Sequence, residues 1–252
     1  MRFDYPREDQ IPQLRQLWKD SFGDTDAFLD LFFSTGFHPQ RCRCALEEDR
    51  IVAALYWFDI HWNGLRCAYL YAVATDPQCR GRGLCRKLME DTAAVLTAAG
   101  YDGALLVPQE EGLIAMYGKM GYLPATSIRE EIYPAGITPV AFREITAPEY
   151  APARISLLPP RSVIQDGNNL AFFAAIAQFY RGDGFLAAVS RETDHLRILE
   201  FLGDTAQAAG LIRALGHTEA TVRTPGCGKP FAMYRPLSDR CSKPDYFAFP
   251  FD

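Results

Sequence analysis

The sequence predicts an α/β (α+β) fold, and three kinds of observation carry that expectation. Some windows repeat apolar residues at helical spacing, others are short apolar runs of strand length, and glycines or Asn-Gly punctuate the junctions. The chain has 252 residues, 48% of them hydrophobic and 13% aromatic. That composition is globular, and the length allows one large domain or two small ones with real cores.

Taken in order, residues 9–20 read as a helix, with Ile11, Leu14, Leu17 and Trp18 on one face. Residues 24–33 read as a second helix, with Asp24 as its cap and Phe28, Leu29, Leu31, Phe32 and Phe33 on its apolar side. Strands follow at 43–47 and 51–62. An Asn63-Gly64 turn then leads into a third strand at 67–75. Residues 81–99 form a long helix carrying Leu84, Leu88, Ala93, Leu96 and Thr97 along one side, closed by Gly100. A strand at 103–107, a helix at 110–120 closed by Gly121, and strands at 129–133 and 140–145 complete a first half.

Pro148, Pro152, Pro159 and Pro160 then mark 147–160 as a linker. Beyond it the expectation is a helix at 169–180, strands at 185–190 and 195–201 around Glu192-Thr193-Asp194, and a helix at 204–215. Strands at 218–223, 231–235 and 246–251 end the series. A strand, a helix ending in Ala-Ala-Gly or Ala-Leu-Gly, and another strand occur in both halves, an internal repeat of shape. The domains expected are therefore 1–146, a linker at 147–160, and 161–252.

Composition excludes several classes. The net charge of −5 argues against nucleic-acid and anionic-membrane binding. No apolar run reaches the roughly 18 residues that span a bilayer, and the first residues, Met1-Arg2-Phe3-Asp4-Tyr5-Pro6, do not form a signal peptide. The 7 cysteines are odd in number and scattered, and Cys42-x-Cys44 lacks zinc-ligand spacing. Reduced thiols, no metal and a cytoplasmic location are the expectation.

The segment richest in chemistry is Val73-Ala74-Thr75-Asp76-Pro77-Gln78-Cys79-Arg80-Gly81-Arg82-Gly83-Leu84-Cys85-Arg86, which runs from a strand into the long helix. A helix start offers unsatisfied N–H groups and the positive dipole end. Gly81 and Gly83 let an anion approach the backbone, and Arg80, Arg82 and Arg86 add charge. Together they predict a pyrophosphate cradle. The segment is neither a P-loop nor a Gly-x-Gly-x-x-Gly dinucleotide loop. The second half has only Leu202-Gly203-Asp204 at the matching place, so it carries no such cradle.

This loop resembles the acyl-CoA-binding motif of the GNAT superfamily of N-acetyltransferases, Arg/Gln-x-x-Gly-x-Gly/Ala, here Arg80-x-x-Gly83-x-Cys85, with Cys85 where Gly or Ala is usual. Tyr117-Gly118-Lys119-Met120-Gly121-Tyr122 is similar to a second segment of that family. The two-part layout resembles the enhanced-intracellular-survival acetyltransferases, with a degenerate second half and without their third domain. The resemblance implies a mixed, mostly antiparallel central sheet flanked by helices. It implies acetyl-CoA as co-substrate, its pyrophosphate on Arg80, Gly81, Arg82, Gly83, Leu84 and Cys85 and its pantetheine arm beside Val73, Ala74 and Thr75. It makes Tyr117 the general acid that protonates the departing CoA thiolate. A phenol of pKa about 10 is still protonated at neutral pH and can do so.

The base is less defined. The strand before the loop carries no Asp or Glu. The resemblance offers the terminal carboxylate of Asp252, in the apolar run 246–251; a last sheet strand with a solvated carboxylate explains that run equally well. Glu110, Glu111 and His61 are further candidates. Asp24 and Asp26 could attract a cationic amine or simply cap a helix. The function expected is transfer of an acetyl group to a primary amine by direct attack in a ternary complex, on a small-molecule or peptide acceptor, in a chain that could form a homo-oligomer. A covalent route through Cys79 or Cys85 lacks an activating histidine. The alternatives are a non-catalytic acyl-CoA-binding module and an enzyme using another acyl or aminoacyl donor.

Overall fold

The computed structural model describes residues 1–165, 167–191 and 195–247, and of Asn168 the backbone alone. In chain order the elements are β1 (Arg2–Asp4), α1 (Ile11–Phe22), α2 (Asp26–Thr35), β2 (Cys42–Glu47), β3 (Arg50–Trp62), β4 (Leu65–Thr75), α3 (Leu84–Ala98), β5 (Gly103–Leu106), α4 (Glu111–Gly118), β6 (Leu123–Pro124), β7 (Ser127–Pro134), β8 (Phe142–Ile145), α5 (Ala147–Leu157), β9 (Ile164–Gln165), α6 (Gly167–Ile176), β10 (Ala177–Gly182), β11 (Phe185–Ser190), β12 (Arg197–Gly203), α7 (Ala208–Ala214), β13 (Glu219–Pro225), β14 (Lys229–Pro230) and β15 (Met233–Pro236).

The chain divides into two compact units. One is Met1–Leu123 with Met233–Ser242; the other is Pro124–Ala232 with the described residues from Lys243. This division differs from the boundaries expected at 146 and 160. β7 and β8, assigned above to the first half, hydrogen-bond into the second sheet. The place beside β5 in the first sheet is taken by β15, from more than a hundred residues later. Strand partners at such separation leave no trace in local pattern.

In the first unit the sheet runs β1-β2-β3-β4-β5-β15. Its pairings are antiparallel except β4 with β5, which are parallel and joined through α3. α1 buries Leu14, Leu17 and Trp18, and α2 buries Leu29 and Phe32. Each such side chain contributes about 1.5–3 kcal/mol. Thr25, not Asp24, caps α2 by accepting from the Phe28 N–H; Asp24 instead accepts from Trp18 Nε1 at 2.7 Å. Asp26 is neutralised by Lys19 at 2.5 Å.

In the second unit seven strands run β14-β7-β13-β12-β11-β10-β8. Here too one pair, β12 with β13, is parallel and flanks a crossover helix, α7. Each sheet also carries a register shift in its crossover strand, opposite Leu55 in β4 and at Leu199 in β12. The repeat of shape therefore extends to a β-bulge.

Two local expectations fail. The Pro-rich stretch is helical over Ala147–Leu157, because Thr146 and Glu149 form a capping box and Pro148 sits in the first turn, where a missing N–H costs nothing. The helix expected at 169–180 ends at Ile176, and the chain continues as β10, paired with β11 and β8. A continuous apolar run does not distinguish a buried helix from a strand. Of the strand expected at 246–251, Tyr246 makes a bridge with Ser162, and 248–251 lie outside the described residues. Among the described residues no helix is long and apolar enough to cross a membrane, and no three His, Cys, Asp or Glu side chains gather as a metal site.

Candidate active site

The site begins with a kink in β4. Ala54 pairs with Ala74 and Tyr56 with Tyr71, so Ala72 and Val73 together oppose Leu55. Ala72 takes a left-handed conformation at φ +47°. A bulge of this kind bends its strand. The pairing of β4 with β5 runs over Cys67–Gly103, Ala68–Ala104 and Tyr69–Leu105. Val73, Ala74 and Thr75 lie beyond that pairing. No sequence signal announces the bulge at Ala72.

After Thr75 the chain is steered by Asp76, whose carboxylate accepts from the Gln78 N–H at 2.8 Å and pairs with Arg50. An Asp-Pro turn of this kind is legible in sequence. Gly81 and Gly83 then adopt φ +75° and +72°, and a Cβ at either would meet nothing within 4 Å. The glycines are needed for the left-handed turn, and they leave the backbone open in front of the helix. Gly83 is the N-cap of α3, with no side-chain cap bond and no acidic residue in the first turn.

The first N–H groups of α3 are thus uncapped, in a turn bearing Arg86 and Lys87. Cations at a helix N-terminus are opposed by the dipole, and an anion there relieves both them and the open N–H groups. The matching approach in the second unit has the same capped turn, where Asp204 accepts from the Ala206 N–H at 3.1 Å, but the N-cap of α7 is Gln207 in a right-handed conformation where α3 has the left-handed Gly83. The three arginines of the loop also differ. Arg82 pairs with Glu47 and Arg86 with Glu90, whereas Arg80 donates from Nε to the Thr75 carbonyl at 3.3 Å.

Tyr117, on α4, is 7% exposed and belongs to the same packed cluster as Leu84, Leu88, Tyr101 and Tyr122, with Val73 and Cys85 against it. The cluster thus joins the end of β4, the start of α3 and α4. The Tyr117 and Tyr122 rings meet edge to face at 5.9 Å. Burial pushes both the Tyr122 phenol and the Cys85 thiol up, so Cys85 stays a protonated, small apolar side chain where Gly or Ala is usual.

Glu110 and Glu111 are exposed at the start of α4, His61 is half-buried near the far end of β3, and Asp252 lies outside the described residues. The aromatics Phe32, Tyr56, Trp57, Trp62, Tyr69 and Tyr71 are core residues, and Phe33 and Phe37 are half-buried.

A family model described as an acetyltransferase (GNAT) domain matches residues 2–125. Among curated proteins none matches the sequence. Solved structures share the fold over nearly the whole chain. A GCN5-related N-acetyltransferase from Kribbella flavida superposes with a TM-score of 0.71 at 18% identity, covering 93% of this chain and 70% of that one. Eis1 from Mycobacterium abscessus gives 0.66 at 12% identity, covering 94% and 74%. A GCN5-related N-acetyltransferase from Anabaena variabilis gives 0.67 at 17% identity, covering 94% and 73%. Strand order, bulge and glycine turn agree with the family match: residues 2–125 are a GNAT acetyltransferase domain, and the protein is an acyltransferase.

Proposed function

We propose that the protein transfers the acetyl group of acetyl-CoA to a primary amine by direct attack in a ternary complex. The observation that carries this reading is the start of α3, an uncapped helix end behind two left-handed glycines, directly after a bulged strand. Arg80, Gly81, Arg82, Gly83, Leu84 and Cys85 are the proposed pyrophosphate cradle, and Val73, Ala74 and Thr75 the edge for the pantetheine arm. The fit is supported by the open backbone, by the absence of acid in the first turn and by the left-handed Gly83 at the N-cap, where α7 has Gln207.

In this reading a base takes a proton from the acceptor amine, whose nitrogen attacks the thioester carbonyl. The C–N bond forms, the C–S bond breaks, and the Tyr117 phenol gives its proton to the departing sulfur. Holding amine and thioester together supplies much of the acceleration. Asp252 is the proposed base, with Glu110, Glu111 and His61 as alternatives. A small-molecule or peptide amine in the cytoplasm is the acceptor class.

Calorimetric titration of acetyl-CoA into the wild type and into Gly83→Asp tests the cradle. Saturable binding lost in the variant is the expected result, followed by amine-dependent thiol release across an amine panel. Absence of binding to folded, cofactor-free wild type overturns the reading. Binding of acetyl-CoA with no turnover on any amine favours a non-catalytic module, and tighter binding of a different acyl-CoA moves the donor.

A further inference from the structure

Two thiols outside the proposed site meet over a glycine. Cys67 lies on β4, paired with Gly103 of β5, and is fully buried. Cys241 follows β15 and is half-buried. A Cβ built on Gly103 would stand 2.6 Å from the Cys241 sulfur and 3.5 Å from the Cys67 sulfur. The missing side chain of Gly103 therefore makes the space in which both sulfurs sit.

The segment that carries Cys241 is held on both sides. The N–H groups of Leu237 and Ser238 donate to the Asp102 carbonyl at 2.9 and 3.1 Å. The Ser238 hydroxyl and the Arg240 guanidinium donate to the Asp102 carboxylate at 2.8–3.1 Å. Beyond the cysteine, Trp62 Nε1 donates to the Ser242 carbonyl at 2.9 Å. Cys241 is thus pinned against β4 by contacts that do not involve its own side chain.

We propose that Cys67 and Cys241 are a reversible thiol–disulfide pair, with Cys241 as the attacking thiol, Cys67 as the resolving one, and a low-molecular-weight disulfide as oxidant. The pair is chemically asymmetric in the direction this needs. The neighbouring Cys67 thiol draws the Cys241 thiol below its ordinary value, against burial and the nearby Asp102 carboxylate. The same neighbour, with burial, holds Cys67 protonated. Reactivity follows thiolate character and access, and Cys241 has more of both.

In the first step the Cys241 sulfur, having lost its proton, attacks one sulfur of the oxidant and releases one thiol. In the second, the Cys67 sulfur loses its proton and attacks the Cys241 sulfur, releasing the second thiol. The two protein thiols are oxidised to one disulfide, the oxidant is reduced to two thiols, and their two protons come from Cys67 and Cys241. The bond ties the segment after β15 to β4, a cross-link across a long stretch of chain that constrains the unfolded state strongly.

The test is oxidation of the folded protein with oxidised glutathione, alkylation of remaining thiols, and non-reducing peptide mass mapping. The expected product is a Cys67–Cys241 cross-linked peptide pair, loss of both these thiols from the alkylatable set, and a rise in melting temperature that dithiothreitol reverses. Cys241→Ser should show neither cross-link nor rise, and Cys67→Ala should stop at a glutathione adduct on Cys241. A wild type in which Cys241 stays glutathionylated while Cys67 remains alkylatable, or in which Cys241 does not react under conditions that glutathionylate the exposed thiol of Cys227, overturns the proposal.

Discussion

Arg154 of α5 and Glu200 of β12 form a two-pronged ion pair in the core of the second unit: Nε meets Oε2 at 2.8 Å and Nη2 meets Oε1 at 2.9 Å, with both side chains almost wholly buried. The remaining valences are used as well. The Tyr150 hydroxyl donates to Glu200 Oε2 at 2.8 Å, and Arg154 Nη1 donates to the Val163 carbonyl at 3.1 Å. Burial works against the charge on Arg154, and the neighbouring carboxylate outweighs it, so the guanidinium is held charged.

Removing one partner of such a pair strands the other. Arg154→Met should therefore cost about 3–5 kcal/mol of stability, whereas the double variant Arg154→Met/Glu200→Leu should recover most of it. Tyr150→Phe, which leaves a carboxylate oxygen short of a donor, should cost about 1–3 kcal/mol. Urea denaturation of the four proteins measures all three. A double variant no more stable than Arg154→Met would mean that the pair, rather than the stranded charge, sets the stability of this core.

The loop arginines should contribute unequally to acetyl-CoA binding. Arg82 and Arg86 already face Glu47 and Glu90, and exposed pairs of this kind hold their side chains only weakly. Among the described residues no ion pair involves Arg80. Arg80→Ala should therefore weaken binding more than Arg82→Ala, and the wild-type affinity should fall as salt rises, because the contacts are exposed. Titrations of each variant at low and moderate ionic strength check the order. An Arg82→Ala loss that exceeds the Arg80→Ala loss would show that Arg82 leaves Glu47 for the ligand.

Much of the first unit was legible in the sequence, because its helices and strands are separated by Asn63-Gly64, Gly100 and Gly121, each at the junction its conformation requires. The turn before α3 was legible for the same reason: Gly81 and Gly83 mark a left-handed turn before an amphipathic helix. The bulge at Ala72 was not, since it arises from pairing with β3 and not from local preference. β15 was placed in the wrong half because its partner β5 is remote, and 169–180 was read as one helix because Phe172, Phe173, Phe179 and Tyr180 are equally buried in either state. The helix at Ala147–Leu157 had its signal, Thr146-x-x-Glu149 with Pro148 between, and the prolines were weighed as breakers instead.

That same capping box sets a pH dependence. Glu149 accepts from the Thr146 N–H at 2.9 Å, and also from Arg143 and the Thr146 hydroxyl, which pulls its carboxyl from 4.5 down to about 2. A folded pKa below the unfolded one means that folding favours the deprotonated form. The contribution is complete above about pH 4.5 and is lost as pH falls from there toward about 2. Glu149→Gln keeps an acceptor but not the charge. The stability difference between wild type and Glu149→Gln should be constant at neutral pH and shrink to nothing near pH 2, measured by denaturant titrations at several pH values. A difference that persists at pH 2 would assign the effect to geometry and not to charge.

Tyr117 offers the sharpest division between the chemistry proposed here and simple packing. Its ring is 7% exposed, in a cluster that includes Leu84 and Leu88 and meets Tyr122 edge to face. Tyr117→Phe keeps the ring and should change stability by less than about 1.5 kcal/mol, as size-conserving core changes do. If the phenol protonates the departing sulfur, kcat should fall by about 10²-fold or more while the affinity for acetyl-CoA is unchanged. The defect should also depend on the leaving group, because a thioester of a more acidic thiol needs less help from a proton donor. Steady-state rates for acetyl-CoA and for such a donor, each with wild type and Tyr117→Phe, give the comparison. Equal losses for both donors would place Tyr117 in the packing of the site and leave protonation of the thiolate to solvent.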